Sequence, residues 1–141
     1  MELPDGQQIL LTDTVGFIRK LPHDLVQSFR ATLEETLLAD FLIHIVDASH
    51  AGAEEFIGTT TKVLNELGAG EKKTILAFNK VDLVTDETRI QELRNRHPDA
   101  AFISVKTGAG IDGLLDRIHE MVFDRVVRLN LRLPMNRLEL V

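Results

Sequence analysis

Short apolar runs alternate with amphipathic segments along most of the chain, and this alternation constrains the fold more than any other feature of the sequence. The apolar runs predict four strands, at residues 7–14, 41–49, 73–80 and 100–105. Apolar residues at helical spacing predict four helices, at residues 24–40, 53–67, 86–97 and 111–121. Strands that are apolar on both faces and are joined by helices form a parallel sheet. The sequence therefore predicts an α/β fold, with a parallel sheet flanked by helices.

The third predicted helix has both a start signal and a stop signal. Thr85 precedes Asp86 and Glu87, so we expect Thr85 to cap this helix and the two carboxylates to lie in its first turn. Pro98 cannot continue a helix, and we expect the helix to end just before it.

The hydrophobic pattern changes after residue 124. Polar and apolar residues alternate strictly over residues 125–134, which predicts a half-exposed strand. We therefore expect two parts, an α/β domain at residues 1–124 and the start of a C-terminal domain at residues 125–141.

Composition and charge argue against several classes of protein. The chain has no cysteine, so neither a disulfide framework nor a thiolate metal site can form. No apolar run approaches the length of a membrane span and the start does not resemble a signal peptide, so we expect no membrane span and a cytoplasmic location. The formal net charge is −6, which disfavours a domain-wide attraction to nucleic acid, and we expect no DNA partner.

The third predicted strand ends in Asn79-Lys80-Val81-Asp82, an N-K-x-D pattern at the sheet edge where ligands bind. One carboxylate, Asp82, can accept from both adjacent donors of guanine, N1–H and the exocyclic amine, and adenine offers no such pair. The Asn79 amide suits guanine O6 and N7 and can tie neighbouring loops together, while the Lys80 stem can lie over the base. The pattern indicates a guanine site; the alternative is an ordinary polar loop.

The fourth predicted strand ends in Ser104-Val105-Lys106, where a backbone N–H can reach guanine O6. This motif is weak alone, because a serine at a strand end is more often a helix cap. The motif supports a guanine site because it lies at the end of the next predicted strand after the one that ends at Asn79.

The first predicted strand ends in Asp13-Thr14-Val15-Gly16, a D-x-x-G pattern. Asp13 can hold Mg²⁺ through a water, and the Gly16 N–H can approach a γ-phosphate because no side chain blocks it. An Asx-capped turn is the structural alternative. Along the chain the motifs follow in the order D-x-x-G, N-K-x-D and S-V-K, each at the end of a predicted strand. Together they predict GTP or GDP as ligand, with Mg²⁺.

Several stretches resemble the HflX-type GTPases, a family of ribosome-associated, translation-factor-related P-loop GTPases. These stretches are DTVGFIRKLPHDLVQSFRATLEET from residue 13, VDAS, NKVD and SVKTGAGIDGL. The resemblance covers about residues 7–124 and implies a G domain, with residues 125–141 as the start of the family's C-terminal domain. It also implies GTP binding and hydrolysis, with the large ribosomal subunit as partner and the separation of stalled or idle ribosomes as the task.

The sequence departs from this family in one respect. The phosphate-binding pattern G-x-x-x-x-G-K-[ST] does not occur in the 141 residues, and in the family it lies upstream of the D-x-x-G motif. We therefore expect a G domain truncated at its N-terminus, which in isolation binds GTP weakly or not at all and does not hydrolyse it. We also expect an exposed apolar cleft between residues 9–13 and 42–47, where the absent strand belongs, and a tendency to associate.

Phe17 follows the D-x-x-G motif, where many GTPases carry a glutamine that orients the attacking water. A phenyl ring does not orient water in this way, so we expect hydrolysis that is slow alone and stimulated by a partner. The catalytic group stays unassigned, and a packing role for Phe17 is compatible with this reading.

Three further polar residues have plain structural readings. His23 is expected at a helix entry, with a phosphate or ribosome contact as the alternative. His44 is expected to be a core histidine, and Asp47 to cap the turn after its strand rather than to bind metal. The five histidines show no metal-ligand spacing.

Three functions are compatible with the sequence. The first is the partial G domain of a ribosome-binding GTPase. The second is a non-catalytic α/β module that docks on the ribosome or on a protein through Arg19, Lys20, Arg30 and the helix predicted at residues 24–40. The three basic residues suit a solvated face equally well. The third is a GTPase of another class that acts in RNA maturation.

Overall fold

A computed structural model of the chain describes residues 2, 3, 6, 8–13 and 35–123. Among these residues, one parallel sheet has the strand order β1-β2-β3. Its strands are β1 (Leu42–Asp47), β2 (Thr74–Asn79) and β3 (Ala101–Phe102). The helices are α1 (Ala53–Glu66), α2 (Glu87–Arg96) and α3 (Ile111–Phe123), with a 3-10 helix at Val81–Leu83, and residues 35–38 are also helical. This arrangement confirms the predicted α/β class.

Different helices cover the two faces of the sheet, and β2 alternates its side chains between them. One face packs against α3 in a cluster of buried residues made of Leu3, Ile75, Ala77, Ala101, Ile103, Leu114 and Ile118. The other face packs against α1 and α2 in a cluster made of Val46, Ala48, Ala53, Phe78, Leu93 and Ala100. Burial of these apolar surfaces on both sides of β2 is the main favourable term that holds the layers together.

Phe78, on the central strand, is fully buried and connects the sheet to the end of α2. Its ring centroid lies 5.1 Å from that of Phe102 and 5.5 Å from that of His97. His97 Nε2 lies 3.1 Å from a carboxylate oxygen of Glu54, so the residue that follows α2 also contacts α1. Arg96 Nη1 of α2 also lies 3.6 Å from a Glu54 carboxylate oxygen, so the second face is fixed by ring packing and by polar contacts of Glu54 with the end of α2.

The first predicted strand is not formed by the residues of 7–14 that the structure describes. Gln8 makes an isolated antiparallel bridge with Glu2, and residues 9–13 have no strand conformation. A strand needs a neighbouring strand with which to pair, and the sheet of the described residues consists of β1, β2 and β3, with no residue of 9–13 in it. Leu10 is 91% exposed and Leu11 52% exposed, so this apolar run is not buried as predicted.

Two other boundaries differ from the predictions. Asp86, rather than Thr85, caps α2: its backbone is extended and its carboxylate accepts from the Thr88 N–H at 2.9 Å. The strand predicted at residues 100–105 is paired only over Ala101–Phe102, because β2 ends at Asn79 and the chain then turns into the 3-10 helix. The predicted end of α2 before Pro98 is confirmed.

A cleft of about 1200 Å³ lies between residues 9–13 and β1, as predicted. Its walls include the outer edge of β1, where Ile45 is 57% exposed, and Leu38 of the preceding helical turn, which is 84% exposed. His44 lines this cleft and is half-buried, so the prediction of a core histidine is wrong. Partial burial lowers its pKa. The expected tendency to associate through this edge stays a prediction.

Residues 14–34 and 124–141 lie outside the described part of the chain, so the predictions made for them are not tested. This applies to most of the first predicted helix, of which residues 35–38 are described and helical, and to the strand predicted at 125–134. The proposed boundary at residue 124 therefore stays a prediction.

Gly110, which precedes α3, gives a test of the fold. Its φ is +71°, and a Cβ placed there lies 2.1 Å from the Phe102 carbonyl oxygen. Gly108 has a similar φ of +81° but has open space around its Cβ position, so it serves as the matched control. We expect Gly108→Ala to cost about 1–2 kcal/mol of unfolding free energy, from the left-handed backbone alone. Gly110→Ala should cost at least about 1 kcal/mol more, because the carbonyl must move.

Urea unfolding of the two variants beside the unmodified chain measures this difference. Equal losses in the two alanine variants would contradict the close approach of residue 110 to the end of β3.

Candidate functional site

The loops that follow all three strands meet at the carboxyl edge of the sheet. Asp47, the last residue of β1, is the register partner of Asn79, the last residue of β2. The Ala48 N–H donates to the Asn79 carbonyl at 2.8 Å, and the Val81 N–H donates to the Ile103 carbonyl at 3.2 Å. Backbone hydrogen bonds therefore hold the three loops side by side.

The backbone at Lys80 has the left-handed conformation, with φ +64°, and Lys80 is the one non-glycine residue of the described chain with positive φ. The Lys80 N–H donates to Asn79 Oδ1 at 2.8 Å, which closes the turn locally. Left-handed backbone costs about 1–2 kcal/mol for a residue with a side chain, so the surrounding contacts must outweigh it. Such strain is frequent at functional sites, where it directs a side chain.

Asn79 ties two loops together, as predicted. Its Oδ1 accepts from the Lys80 N–H and also from the Val105 N–H, the latter at 3.1 Å. The side-chain amide nitrogen of Asn79 has no hydrogen-bond partner among the described residues. The oxygen of this amide is thus used to brace the loops, while its N–H₂ group is left to donate.

Asp82 is held by Ser104, whose Oγ donates to Asp82 Oδ1 at 2.6 Å. Ser104 is completely buried, and its Oγ also accepts from the Thr107 N–H at 3.2 Å. The exposed carboxylate of Asp82 is therefore anchored through one oxygen by a side chain that is itself fixed. Its other oxygen has no partner in the described part of the chain.

Val105 and Lys106 differ in whether their backbone N–H groups are available to a ligand. The Val105 N–H is already donated to Asn79, and it is therefore not free for a ligand. The Lys106 N–H has no acceptor among the described residues, and Lys106 is exposed. Of the two residues, Lys106 is the one whose backbone N–H can meet a ligand carbonyl.

Asp47 forms an ion pair with Lys80 that the sequence analysis missed. Lys80 Nζ donates to Asp47 Oδ2 at 2.6 Å, and the side chains are 52% and 32% exposed respectively. The other carboxylate oxygen, Oδ1, accepts from the Ser49 N–H at 2.9 Å and from Ser49 Oγ at 2.6 Å, so the predicted turn cap is confirmed. Partial burial raises the pKa of Asp47, but the hydrogen bonds from Lys80 and Ser49 outweigh it, and the net pKa is lowered.

Arg89 of α2 fixes the turn that follows Asp47. Its Nε donates to the Ala48 carbonyl at 3.1 Å, and its Nη2 donates to the His50 carbonyl. The His50 side chain in turn accepts from the Gly52 N–H at 3.0 Å. An arginine on an exposed helix gives no sequence signal for this role, whereas the Asp47–Lys80 pair follows from the register of β1 against β2.

Asp13 is exposed and lines the same cleft as Asp47. The rest of its motif, Thr14, Val15 and Gly16, lies outside the described residues, as does Phe17. So do the remaining candidates of that stretch, which are Arg19, Lys20, His23 and Arg30. The described site thus unites two of the three predicted motifs, N-K-x-D and S-V-K, and adds Asp47.

In the described part of the chain, no three His, Cys, Asp or Glu side chains come together as a metal cluster. No helix there has the length and apolar character needed to cross a membrane.

The Asp47–Lys80 pair predicts a specific dependence of stability on pH. The pKa of Asp47 is lowered by folding, so its contribution is fully present above the ordinary value of 3.8 and is lost as pH falls through the lowered pKa. Because the pair is partly exposed, we expect Asp47→Asn to cost no more than about 1 kcal/mol of unfolding free energy at pH 7.

Urea unfolding of the chain and the variant at pH 7, 5, 4 and 3 tests this expectation. The difference between them should be constant down to pH 5 and should shrink below pH 4. A difference that stays unchanged at pH 3 would show that the carboxylate charge is not what stabilises this corner.

Comparison with known proteins gives consistent results. The family described as "50S ribosome-binding GTPase" matches residues 1–80. A protein named GTPase HflX from Akkermansia muciniphila is 51% identical over 100% of this chain and 33% of its own length. GTPase HflX of Escherichia coli K12 is 42% identical over 95% of the chain and 32% of its own length. The chain therefore spans about a third of the length of the curated relatives it matches.

A solved structure supports the fold. A GTP-binding protein from Sulfolobus solfataricus, crystallised in complex with GDP, is 26% identical with a TM-score of 0.67. The likeness covers 81% of this chain and 40% of that one, and it agrees with the predicted G-domain fold class. With its motifs at the strand ends, its parallel sheet and a family match over more than half of its length, this chain belongs to the 50S ribosome-binding GTPase family.

Proposed function

We propose that this chain forms the guanine-recognition half of a GTP-binding and GTP-hydrolysing protein that works on the ribosome. The observation that carries the proposal is the anchoring of Asp82 by the buried Ser104, at the edge of the sheet where Asn79 also lies. A carboxylate oxygen can accept more than one hydrogen bond, so the fixed Asp82 carboxylate, with Oδ1 bonded once and Oδ2 unused, can still accept from a base that presents two adjacent donors.

Each polar group of the site has a proposed task toward guanine. Asp82 accepts from N1–H and from the exocyclic amine. The Asn79 amide N–H₂ and the Lys106 backbone N–H donate to the acceptors N7 and O6, because Asn79 Oδ1 and the Val105 N–H already bind each other. The Lys80 stem lies against the face of the base. Val81 and Val105 contribute backbone that sets the spacing of these groups.

The phosphate side of the site is proposed to involve the D-x-x-G motif. Asp13 is exposed at the cleft, and its carboxylate oxygens are hard donors of the kind that Mg²⁺ prefers, so Asp13 fits the role of holding Mg²⁺ through a water. When bound, the ion neutralises charge on the β- and γ-phosphates. Thr14, Val15 and Gly16 are proposed to bring backbone N–H groups to the γ-phosphate.

Hydrolysis is proposed to depend on a partner. Phe17 stands where a water-orienting glutamine is common, and a phenyl ring does not supply that function. The large ribosomal subunit is the proposed partner, on the strength of the family description and of the relatives named GTPase HflX. Separation of stalled or idle ribosomes is proposed as the task that the resemblance implies, and the cytoplasm is proposed as the location, where a ribosome-binding protein acts.

Guanine recognition is tested by Asp82→Asn in the full-length protein. Asparagine offers one acceptor and one donor, so it mismatches guanine but matches xanthine, which has a carbonyl in place of the exocyclic amine. We expect the affinity for GTP to fall roughly 10- to 100-fold, as for the loss of a charge-assisted hydrogen bond, and the affinity for XTP to rise. Fluorescence titration with labelled analogues of both nucleotides gives the two constants.

Asp86→Asn is the matched control, since it makes the same change of charge at the α2 cap, where asparagine serves as well as aspartate. Unchanged preference for GTP over XTP in the Asp82 variant would refute the assignment of the base site.

The partner is tested by co-sedimentation of the full-length protein with isolated 50S and 30S subunits, in a non-hydrolysable GTP analogue and in GDP. We expect pelleting with 50S subunits in the GTP analogue and much less in GDP, because the D-x-x-G motif responds to the γ-phosphate. Equal pelleting with both subunits, or with neither, would contradict large-subunit binding.

A further inference from the structure

We propose that Asp47 is a positioning residue of the nucleotide site, which holds the Lys80 side chain in place against the face of the base. This inference rests on the proposed function. Asp47 is the last residue of β1, a place that predicts only a cap for the following turn; the inference adds a role in the nucleotide site.

The geometry of the carboxylate separates two tasks. Oδ1 accepts both hydrogen bonds from Ser49, and Oδ2 accepts the one from Lys80 Nζ. The Ser49 bonds fix the rotamer of Asp47, so Oδ2 is aimed at one place. Because Asp47 is the register partner of Asn79, that place lies directly beside the residue that precedes Lys80.

The backbone on both sides of Lys80 is also held in place by hydrogen bonds. The left-handed backbone of Lys80 is held by the Asn79 side chain, and Val81 is bonded to the Ile103 carbonyl, so both neighbours of Lys80 are fixed. The Lys80 side chain is still 52% exposed while its Nζ is bound to Asp47. A stem that is tethered at both ends and open along its length can lie on a flat ring without a further loss of rotamer freedom.

The turn that carries Ser49 is itself fixed from another element. Arg89 of α2 donates to the carbonyls of Ala48 and His50, on either side of Ser49. The net lowering of the pKa of Asp47 agrees with a carboxylate that stays ionised opposite Lys80. The position of Asp47 is therefore determined by β1, by the turn and by α2 together.

A double-mutant cycle in the full-length protein tests the proposal, with Asp47→Asn, Lys80→Ala and both together. Asparagine keeps an acceptor for the Ser49 N–H, so the turn is retained while the ion pair is lost. We expect Asp47→Asn to weaken GTP binding roughly 2- to 5-fold, in the range of a partly exposed ion pair. In the Lys80→Ala background the same substitution should have no further effect, because Asp47 acts through Lys80.

Base selectivity provides a second readout. ITP lacks the exocyclic amine of GTP, so the ratio of the two affinities reports the contact of Asp82 with the edge of the base. Asp47→Asn should leave this ratio unchanged, because a stem on the face of the ring does not contact the amine, whereas Asp82→Asn should reduce it.

Ser49→Ala is the control for the turn, since it removes one bond to Oδ1 and keeps the carboxylate facing Lys80. Its loss of affinity should be smaller than that of Asp47→Asn. An equal loss, or a loss from Asp47→Asn that persists undiminished in the Lys80→Ala background, would overturn the positioning role. If Asp82→Asn also left the GTP-to-ITP ratio unchanged, the base site itself would fail, which is a different outcome.

Discussion

The parallel pairing of β1, β2 and β3 is the constraint on which the rest of the structure depends. Parallel strands bring all their carboxyl ends to one edge, so the loops after Asp47, Asn79 and Phe102 become neighbours although they are far apart in the chain. Burial of Phe78 and its partners on one face, and of Ile75 and Ala77 on the other, holds β2 between the helices. The polar site is therefore built on strands whose positions are fixed by apolar packing.

The loops use their own polar groups to fix one another before any ligand is bound. Asn79 bonds Val105, Ser104 bonds Asp82, and Asp47 bonds Lys80, so each contact joins the ends of two different strands. Groups that are already held in place lose less conformational entropy on binding. In Asn79 and in Asp82, one side-chain atom is used for the scaffold and the adjacent atom, the amide nitrogen or the second carboxylate oxygen, has no partner among the described residues.

Much of this arrangement could be predicted from local patterns. The strands at β1 and β2 and the helices at α1, α2 and α3 follow from hydrophobic periodicity, and Asn79 and Asp82 follow from their place at a strand end. The strand expected at residues 7–14 fails for a non-local reason, since a strand forms only where it pairs with another strand, and in the described sheet β1 pairs with β2 alone. Leu10 and Leu11 are apolar by sequence and still exposed.

The sequence analysis did not predict the contacts that depend on the register of the strands or on which individual atom of a group is used, because hydrophobic periodicity carries neither kind of information. The Asp47–Lys80 pair requires knowing that Asp47 faces Asn79 across the sheet, and the use of the Val105 N–H by Asn79 moves the available backbone donor to Lys106. Arg89 donates to the carbonyls of Ala48 and His50, which lie 41 and 39 positions earlier in the chain. A local sequence pattern cannot predict contacts over such separations.

A crystal structure of the full-length protein with GDP tests the central claim most directly. The account predicts that the Asp82 carboxylate lies within about 3 Å of both guanine N1 and the exocyclic amine, while Ser104 Oγ keeps its bond to Oδ1. A guanine ring bound elsewhere, or an Asp82 side chain that faces solvent beside the bound base, would contradict it.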